Sequence, residues 1–403
     1  MKEAPPRLAT RNLPPIAGGN LALACAVLIA VALALYAVLI PYRNPDIDTF
    51  LLPWLHHIQD RGITQSLAED FYNYTPPHIY LLSLASRLQG LVPDLVAVKS
   101  IPILFLLLSA CLVFLLVRQI RPASPTAVLA AIGFLFLPTV VMNGPFWGQA
   151  DLLPASGLLA FMACILARRP AAAVVCFGVA LAFKLQAIFL APFLLLLVLR
   201  REILWRHLLA VPAVYLVAVL PAALAGRPLL DLLTIHVGQG TYYSRLSMNA
   251  PNPYHVLEQL TSFPYLAGII LGCSLAGLAG LGLAIGGARA LRTSKENDLL
   301  LALVSVALMP FLLPKMHDRY FFFADVFAYV AACVTPRLFW AAMGFQASSL
   351  LACSNFLFGF RSGPFLGAAI NTLLVAGLLF ELWRRHSGVR RPGSAEYSRA
   401  DAR

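Results

Sequence analysis

The stretch Leu21-Ala-Leu-Ala-Cys-Ala-Val-Leu-Ile-Ala-Val-Ala-Leu-Ala-Leu-Tyr-Ala-Val-Leu-Ile40 decides the fold class. It is apolar on every face, and a segment of about 20 such residues matches the hydrocarbon thickness of a bilayer. A lipid-facing β-barrel would alternate apolar with polar residues, which neither this run nor Leu266–Ile285 does. The rest of the 403-residue chain agrees: 60% of it is apolar, 12% is charged and the mean hydropathy is +0.79. Soluble domains carry about 25% charged residues, so soluble, disordered and disulfide-stapled classes drop out. The expected fold is all-α: a polytopic membrane helix bundle, treated as one integral-membrane unit over residues 1–385.

Further spans are expected at 98–117, 125–141, 152–167, 208–225, 264–286, 298–313, 320–335, 338–357 and 364–383, with shorter apolar pieces at 76–91, 171–183 and 186–200. The net charge is +12, and it clusters in short loops and near both ends rather than on a nucleic-acid face. Arg118/Arg121, Arg168/Arg169, Arg200/Arg201/Arg206, Arg289/Arg292/Lys295, Arg337 and Arg384/Arg385/Arg390/Arg391 therefore mark the cytoplasmic side. The acids Asp46, Asp48, Asp60, Glu69, Asp70, Asp151, Asp231, Glu258 and Asp318 then fall outside. Alternation of sides gives about 12 crossings, a re-entrant segment at 76–97, and both termini in the cytoplasm. Stretch 171–200 is basic at both ends, so two short helices should meet near Phe183–Gln186, with Lys184 at the tip of the hairpin. Residues 386–403 read as a basic, disordered cytoplasmic tail. The seven cysteines lack the paired spacing of a zinc or disulfide site.

Two outer loops are long, 41–75 and 226–263. In the first, Phe50, Trp54, Leu55 and Ile58 share one helical face, the pattern of an amphipathic interfacial helix with Trp54 at headgroup depth. Just before it stands Asn44-Pro-Asp-Ile-Asp-Thr-Phe50, with two carboxylates two residues apart. Such a pair suits a base or a divalent-cation ligand, and equally a solvated loop. Trp147, Gln149 and Asp151 follow a helix-breaking Gly144-Pro145, an aromatic–amide–carboxylate set that suits a sugar. Lys184, in Ala182-Phe-Lys-Leu-Gln186, is an ionisable group deep in an apolar run and can hold a lipid phosphate or snorkel to headgroups. Lys315, His317 and Arg319 crowd an outer turn, where cations run against the usual bias and phosphate supplies a reason. Sugars on that face cannot come from cytoplasmic nucleotide donors. A lipid-phosphate sugar can supply them, with cations on the leaving phosphate and a carboxylate deprotonating the acceptor hydroxyl.

This ordered set resembles a bacterial membrane glycosyltransferase of the C-type superfamily, in the group related to the second mannosyltransferase of GPI-anchor synthesis. The resemblance rests on Asp46-Ile-Asp48 with Pro53-Trp54, Asn73-Tyr-Thr-Pro-Pro77, Trp147-Gly-Gln-Ala-Asp151, Lys184-Leu-Gln186, Ser247-Met-Asn-Ala-Pro-Asn252 and Met316-His-Asp-Arg-Tyr320. It implies inverting transfer of a hexose, mannose first, from a polyprenyl-phosphate donor to a lipid or glycan acceptor. It further implies Asp48 or Asp46 as the catalytic base, Asp48 being preferred for its place before Thr49-Phe50 and the interfacial helix, and Lys184, Lys315, His317 and Arg319 on the donor phosphate. Tyr74, His78, Trp147, Gln149, Asp151, Gln186, Asn252 and Tyr320 would line the sugar or acceptor site. No cofactor is expected, although a divalent cation at Asp46/Asp48 fits the motif. Rival readings are a flippase or transporter of a lipid-linked saccharide, which would favour two similar halves, and a surface-polysaccharide polymerase or ligase.

Overall fold

The computed structural model describes residues 18–122, 124–241 and 243–387. The basic N-terminal residues Arg7 and Arg11, and the expected tail beyond Ser387, lie outside them. Among the described residues, six helices are long and apolar enough to cross a bilayer: Leu21–Leu39, Asp94–Ile120, Trp205–Ala225, Tyr265–Ala290, Pro336–Phe358 and Gly363–His386. Four shorter apolar helices, Leu152–Leu166, Pro170–Phe183, Leu185–Leu199 and Phe322–Val334, pack among them. The chain is an integral multi-pass membrane protein.

A further span is broken. Thr126–Phe134 and Pro138–Trp147 meet at 41°, because Pro138 bars Leu137 from the helical region and supplies no N–H. Freed backbone groups inside a bilayer need partners. Gln346 provides one: its Oε1 accepts both the Thr139 N–H and the Thr139 hydroxyl, each at 3.0 Å.

The centre of the bundle is formed by Lys295–Leu312 and Phe322–Val334, buried on nearly all faces. Neither shows a polar stripe beyond its ends, as befits helices surrounded by protein. Leu21–Leu39 lies at the periphery, with Leu23, Val27 and Val38 exposed. It is anchored by the Tyr36 hydroxyl, which donates to the Leu135 carbonyl at 2.6 Å.

The segment expected to re-enter contains the helix Pro76–Ser86, 11 residues long. At 1.5 Å per residue that is about 16 Å, half a hydrocarbon core. Loop 41–75 folds into a π-helical turn, Ile47–Leu51, followed by helices Leu52–Arg61 and Ile63–Ala68. The apolar face of Leu52–Arg61 is as expected, but it turns to protein rather than to headgroups. Trp54 is 6% exposed and meets Tyr74 edge-on at 5.3 Å. Loop 226–263 holds two helices, Leu229–Thr241 and Pro253–Leu260. Two short strands, Ser247–Met248 and Met316–His317, pair in parallel with Ser247 opposite Met316 and Met248 opposite His317. That clasp ties loop 226–263 to the charged turn before Phe322–Val334.

Candidate active site

Loop ends and helix termini converge on a cavity of about 640 Å³. Its wall takes residues from seven separate stretches, among them Asp46, Tyr74, Gln149, Lys184, Gln186, Arg227, Arg245, His317, Asp318, Arg319, Tyr320 and Phe356.

The carboxylate end is built by two loops locked together. Asn44 takes the backbone N–H groups of Asp46 and Ile47 on its side-chain oxygen, at 3.1 and 3.2 Å, and so caps the π-helical turn. Its amide donates across to the Trp147 carbonyl at 2.9 Å. Tyr42 and Phe146 stack at 3.9 Å. The Lys99 ammonium, buried at their junction, donates to the carbonyls of Tyr42 and Phe146 at 2.6 and 2.7 Å. The result is a fixed Asp46, whose Oδ2 accepts from Trp147 Nε1 at 2.9 Å and from Gln149 Nε2 at 2.5 Å. Both bonds fall on one oxygen, which leaves Oδ1 for another partner. The other side of this junction, Met142–Trp147, is also π-helical and contains Pro145; such turns re-aim side chains that a regular helix would direct elsewhere.

Gly148 makes the close approach between the two loops. Its φ is +83°, and a Cβ there would stand 2.8 Å from Ile47 Cδ1. Gly148→Ala is therefore expected to cost about 1–3 kcal/mol of stability from left-handed strain and overpacking. It should also displace Gln149 from Asp46. Thermal unfolding of the detergent-purified variant would check the loss of stability.

The cationic end is organised by Asp151. Lys184 sits between Pro170–Phe183 and the 3₁₀ turn Leu185–Leu190, at the tip of a hairpin as expected. Its ammonium pairs with Asp151 at 2.6 Å, the two side chains being 8% and 4% exposed, and lies 5.2 Å from the Tyr74 ring centre. Arg319 approaches the other Asp151 oxygen at 3.7 Å and Asp318 at 3.6 Å, and spans the Trp147 ring at 5.5 Å. Asn143 donates to Asp151 at 2.9 Å. Burial works against charge on all three groups. Even so, Lys184 and Arg319 hold the Asp151 carboxyl below its usual range, and Asp151 in turn holds both cations charged. One carboxylate thus serves two cations, leaving local positive charge toward the cavity.

Several expected roles change. Asp48 turns away from the cavity to an exposed pair with Arg43 at 2.6 Å, its side chain 46% exposed. Asp46, and not the preferred Asp48, therefore lines the cavity, and the two carboxylates do not converge on one cation position. Trp147 is fully buried and stacks on Phe356 at 5.3 Å, so it orients Asp46 instead of offering a face to a sugar. Asp151 is a counter-ion behind the wall. Asn252 is a buried helix cap, accepting the His255 N–H and donating to the Pro310 and Leu313 carbonyls. His78 stands behind Tyr74, edge-on at 4.9 Å and buried. Lys315 leaves the cavity for the Tyr265 hydroxyl at 3.0 Å. His317 does line it, but burial, with Arg319 and Lys184 nearby, pushes its imidazole down to about 3, so it is neutral and brings hydrogen bonds without charge.

Asp318, Arg227 and Arg245 carry no role in the sequence reading. The two arginines were legible as breaches of charge bias in a loop that the sequence reading expects on the outer side. Asp318 was masked by its neighbours Arg319 and His317. Burial pushes its carboxyl up to about 7, against the pull of Arg319 and with Asp46 adding to the rise. Below that pH it is neutral; above it a carboxylate appears beside Arg319 and competes with any bound phosphate. Affinity for a phosphate ligand is expected to fall by roughly three- to tenfold from pH 6 to pH 8. The Asp318→Asn variant should flatten that part of the profile, as titration of ligand binding at each pH would show.

No family model matches the chain, and no curated protein does. A solved structure does match. In fold, the chain is similar to ArnT from Cupriavidus metallidurans. The TM-score is 0.57 at 16% sequence identity, over 90% of this chain and 76% of that one. The ArnT structure was determined with undecaprenyl phosphate bound. At this identity the likeness to ArnT is one of fold.

Proposed function

We propose that this protein is an inverting glycosyltransferase that uses a polyprenyl-phosphate sugar and transfers one hexose, mannose in the first instance, to a lipid or glycan acceptor on the extracytoplasmic face. The observation that carries the reading is the presence in one cavity of an oriented carboxylate, Asp46, and a cation pair, Lys184 and Arg319, held by a shared counter-ion. The fold likeness to a structure holding undecaprenyl phosphate supports a donor of that class.

In the proposed step, Asp46 Oδ1 takes the proton of an acceptor hydroxyl while that oxygen bonds to the anomeric carbon. The bond from that carbon to the phosphate oxygen breaks on the opposite face, and its electron pair leaves with the polyprenyl phosphate. Negative charge grows on the departing phosphate, where Lys184 and Arg319 meet it, stabilising the transition state more than the ground state. These fixed cations supply the charge a divalent ion would bring, so the proposed reaction is metal-independent. Tyr74, Gln149, Gln186, His317 and Tyr320 offer ring and hydrogen-bonding surface to the sugar.

The test uses the purified protein in lipid nanodiscs with radiolabelled polyprenyl-phosphate mannose and an acceptor-lipid extract, with and without chelator. Label reaching a new lipid or glycan product in wild type but not in Asp46→Asn, chelator or not, is the expected result. Transfer from another hexosyl donor alone would reassign the sugar, and elongating products would favour a polymerase. Unchanged lipid-linked sugar crossing the bilayer equally in wild type and Asp46→Asn proteoliposomes would replace the transferase with a flippase.

A further inference from the structure

Away from the Asp151 cluster, the same cavity holds a second basic group that the proposed transfer step does not use. Arg227 follows Gly226 at the start of the second outer loop and is 4% exposed. Its guanidinium lies over the Tyr72 ring at 4.4 Å. Nη2 pairs with Asp70, whose own side chain is 76% exposed and is therefore shared with solvent. Nε and Nη1 are buried and have no hydrogen-bond partner among the described residues. Buried guanidinium donors left unmet are costly, and the fork geometry of arginine matches a carboxylate or phosphate. Arg245, paired with Glu258 at 3.4 Å, adds a second positive charge to the wall. From the helix Leu229–Thr241, Gln239 closes this side by donating to the Asn73 carbonyl.

The donor's phosphate needs one cationic centre, and Lys184 with Arg319 already forms it around Asp151. We infer that Arg227, seated on Tyr72, is a separate anion-binding site that takes an acidic group, carboxylate or phosphate, carried by the acceptor. This rests on the transferase reading of the cavity. It makes the acceptor an acidic amphiphile and assigns its recognition to the start of the second outer loop.

The experiment measures binding without turnover, in nanodiscs of phosphatidylcholine. Undecaprenyl phosphate reports the donor site. Glucuronosyl diacylglycerol, a phosphorylated glucosyl diacylglycerol and neutral glucosyl diacylglycerol report the acceptor site, the first two separating carboxylate from phosphate. Wild type is expected to bind at least one acidic glycolipid about tenfold or more tightly than the neutral one. Arg227→Gln should erase that preference while leaving undecaprenyl phosphate affinity within about twofold, and Arg227→Lys should restore part of it. Arg319→Gln should show the opposite pattern. Equal binding of acidic and neutral glycolipids by wild type, or a preference that survives in Arg227→Gln, would overturn the inference. So would a loss of undecaprenyl phosphate affinity in Arg227→Gln as large as in Arg319→Gln, which would place Arg227 in the donor site. If undecaprenyl phosphate fails to bind while the acidic preference persists and depends on Arg227, the anion site stands and the donor assignment falls.

Discussion

Asp46→Asn is expected to lower turnover by about a thousandfold while leaving donor binding and thermal stability close to wild type. General-base catalysis contributes roughly 10²–10⁴ in rate, and an amide in the same place cannot take the acceptor's proton. The fold should survive because the substituted amide still offers an oxygen to Trp147 Nε1 and Gln149 Nε2, the two donors that now meet at Oδ2. Asp48→Asn is the internal control. Its exposed pair with Arg43 is worth about 0–1 kcal/mol, so turnover should stay within about threefold. The measurement is single-turnover transfer with saturating donor, which separates chemistry from binding. Near-normal chemistry in Asp46→Asn with a large loss in Asp48→Asn would reverse the assignment.

Lys184→Met should be strongly disruptive. Removing one partner of a buried ion pair costs about 3–5 kcal/mol, because the other charge is left uncompensated. Asp151 would keep only Arg319, at 3.7 Å, and Asn143. Loss of fold and loss of donor binding are separated by the double variant Lys184→Met/Asp151→Leu, in which the buried charges are removed together. That protein is expected to regain most of the thermal stability, since apolar replacement of buried pairs is often neutral. It should still bind undecaprenyl phosphate at least about tenfold more weakly. Recovery of donor binding with stability would make Lys184 a structural residue only.

Much of the architecture was readable from hydropathy because a bilayer enforces long helices with internally satisfied backbones. Lys184 at its hairpin tip follows from the basic residues at both ends of 171–200, whereas 125–141 reads as one unbroken span and is bent at Pro138. The site was legible as a set of motifs but not as roles. The place of Asp48 next to Thr49-Phe50 favours it over Asp46, but the two part because Asn44 holds the start of a π-helical turn that sends Asp46 inward and Asp48 toward Arg43. Trp147, Asp151 and Asn252 sit in the expected motifs yet serve to position others, since long-range partners such as Lys184, Phe356 and Pro310 decide what each side chain faces. Trp54 has an amphipathic setting that reads equally well for lipid or protein, and only the placement of Tyr74 resolves it.

The pairing of Asp151 with Lys184 also bears on how the chain is made. The two residues flank the hairpin Leu152–Leu166 and Pro170–Phe183, whose helices pack directly on one another. Both charges emerge from the ribosome within one short hairpin, so they can enter the membrane as a single neutral unit. Arg319 arrives more than a hundred residues later, once that unit is in place, and is held by the clasp of Ser247–Met248 on Met316–His317. Its arrival converts a neutral pair into a positively charged triad. The cationic character on which the proposed donor site depends is therefore completed only when Arg319 joins the Asp151–Lys184 pair.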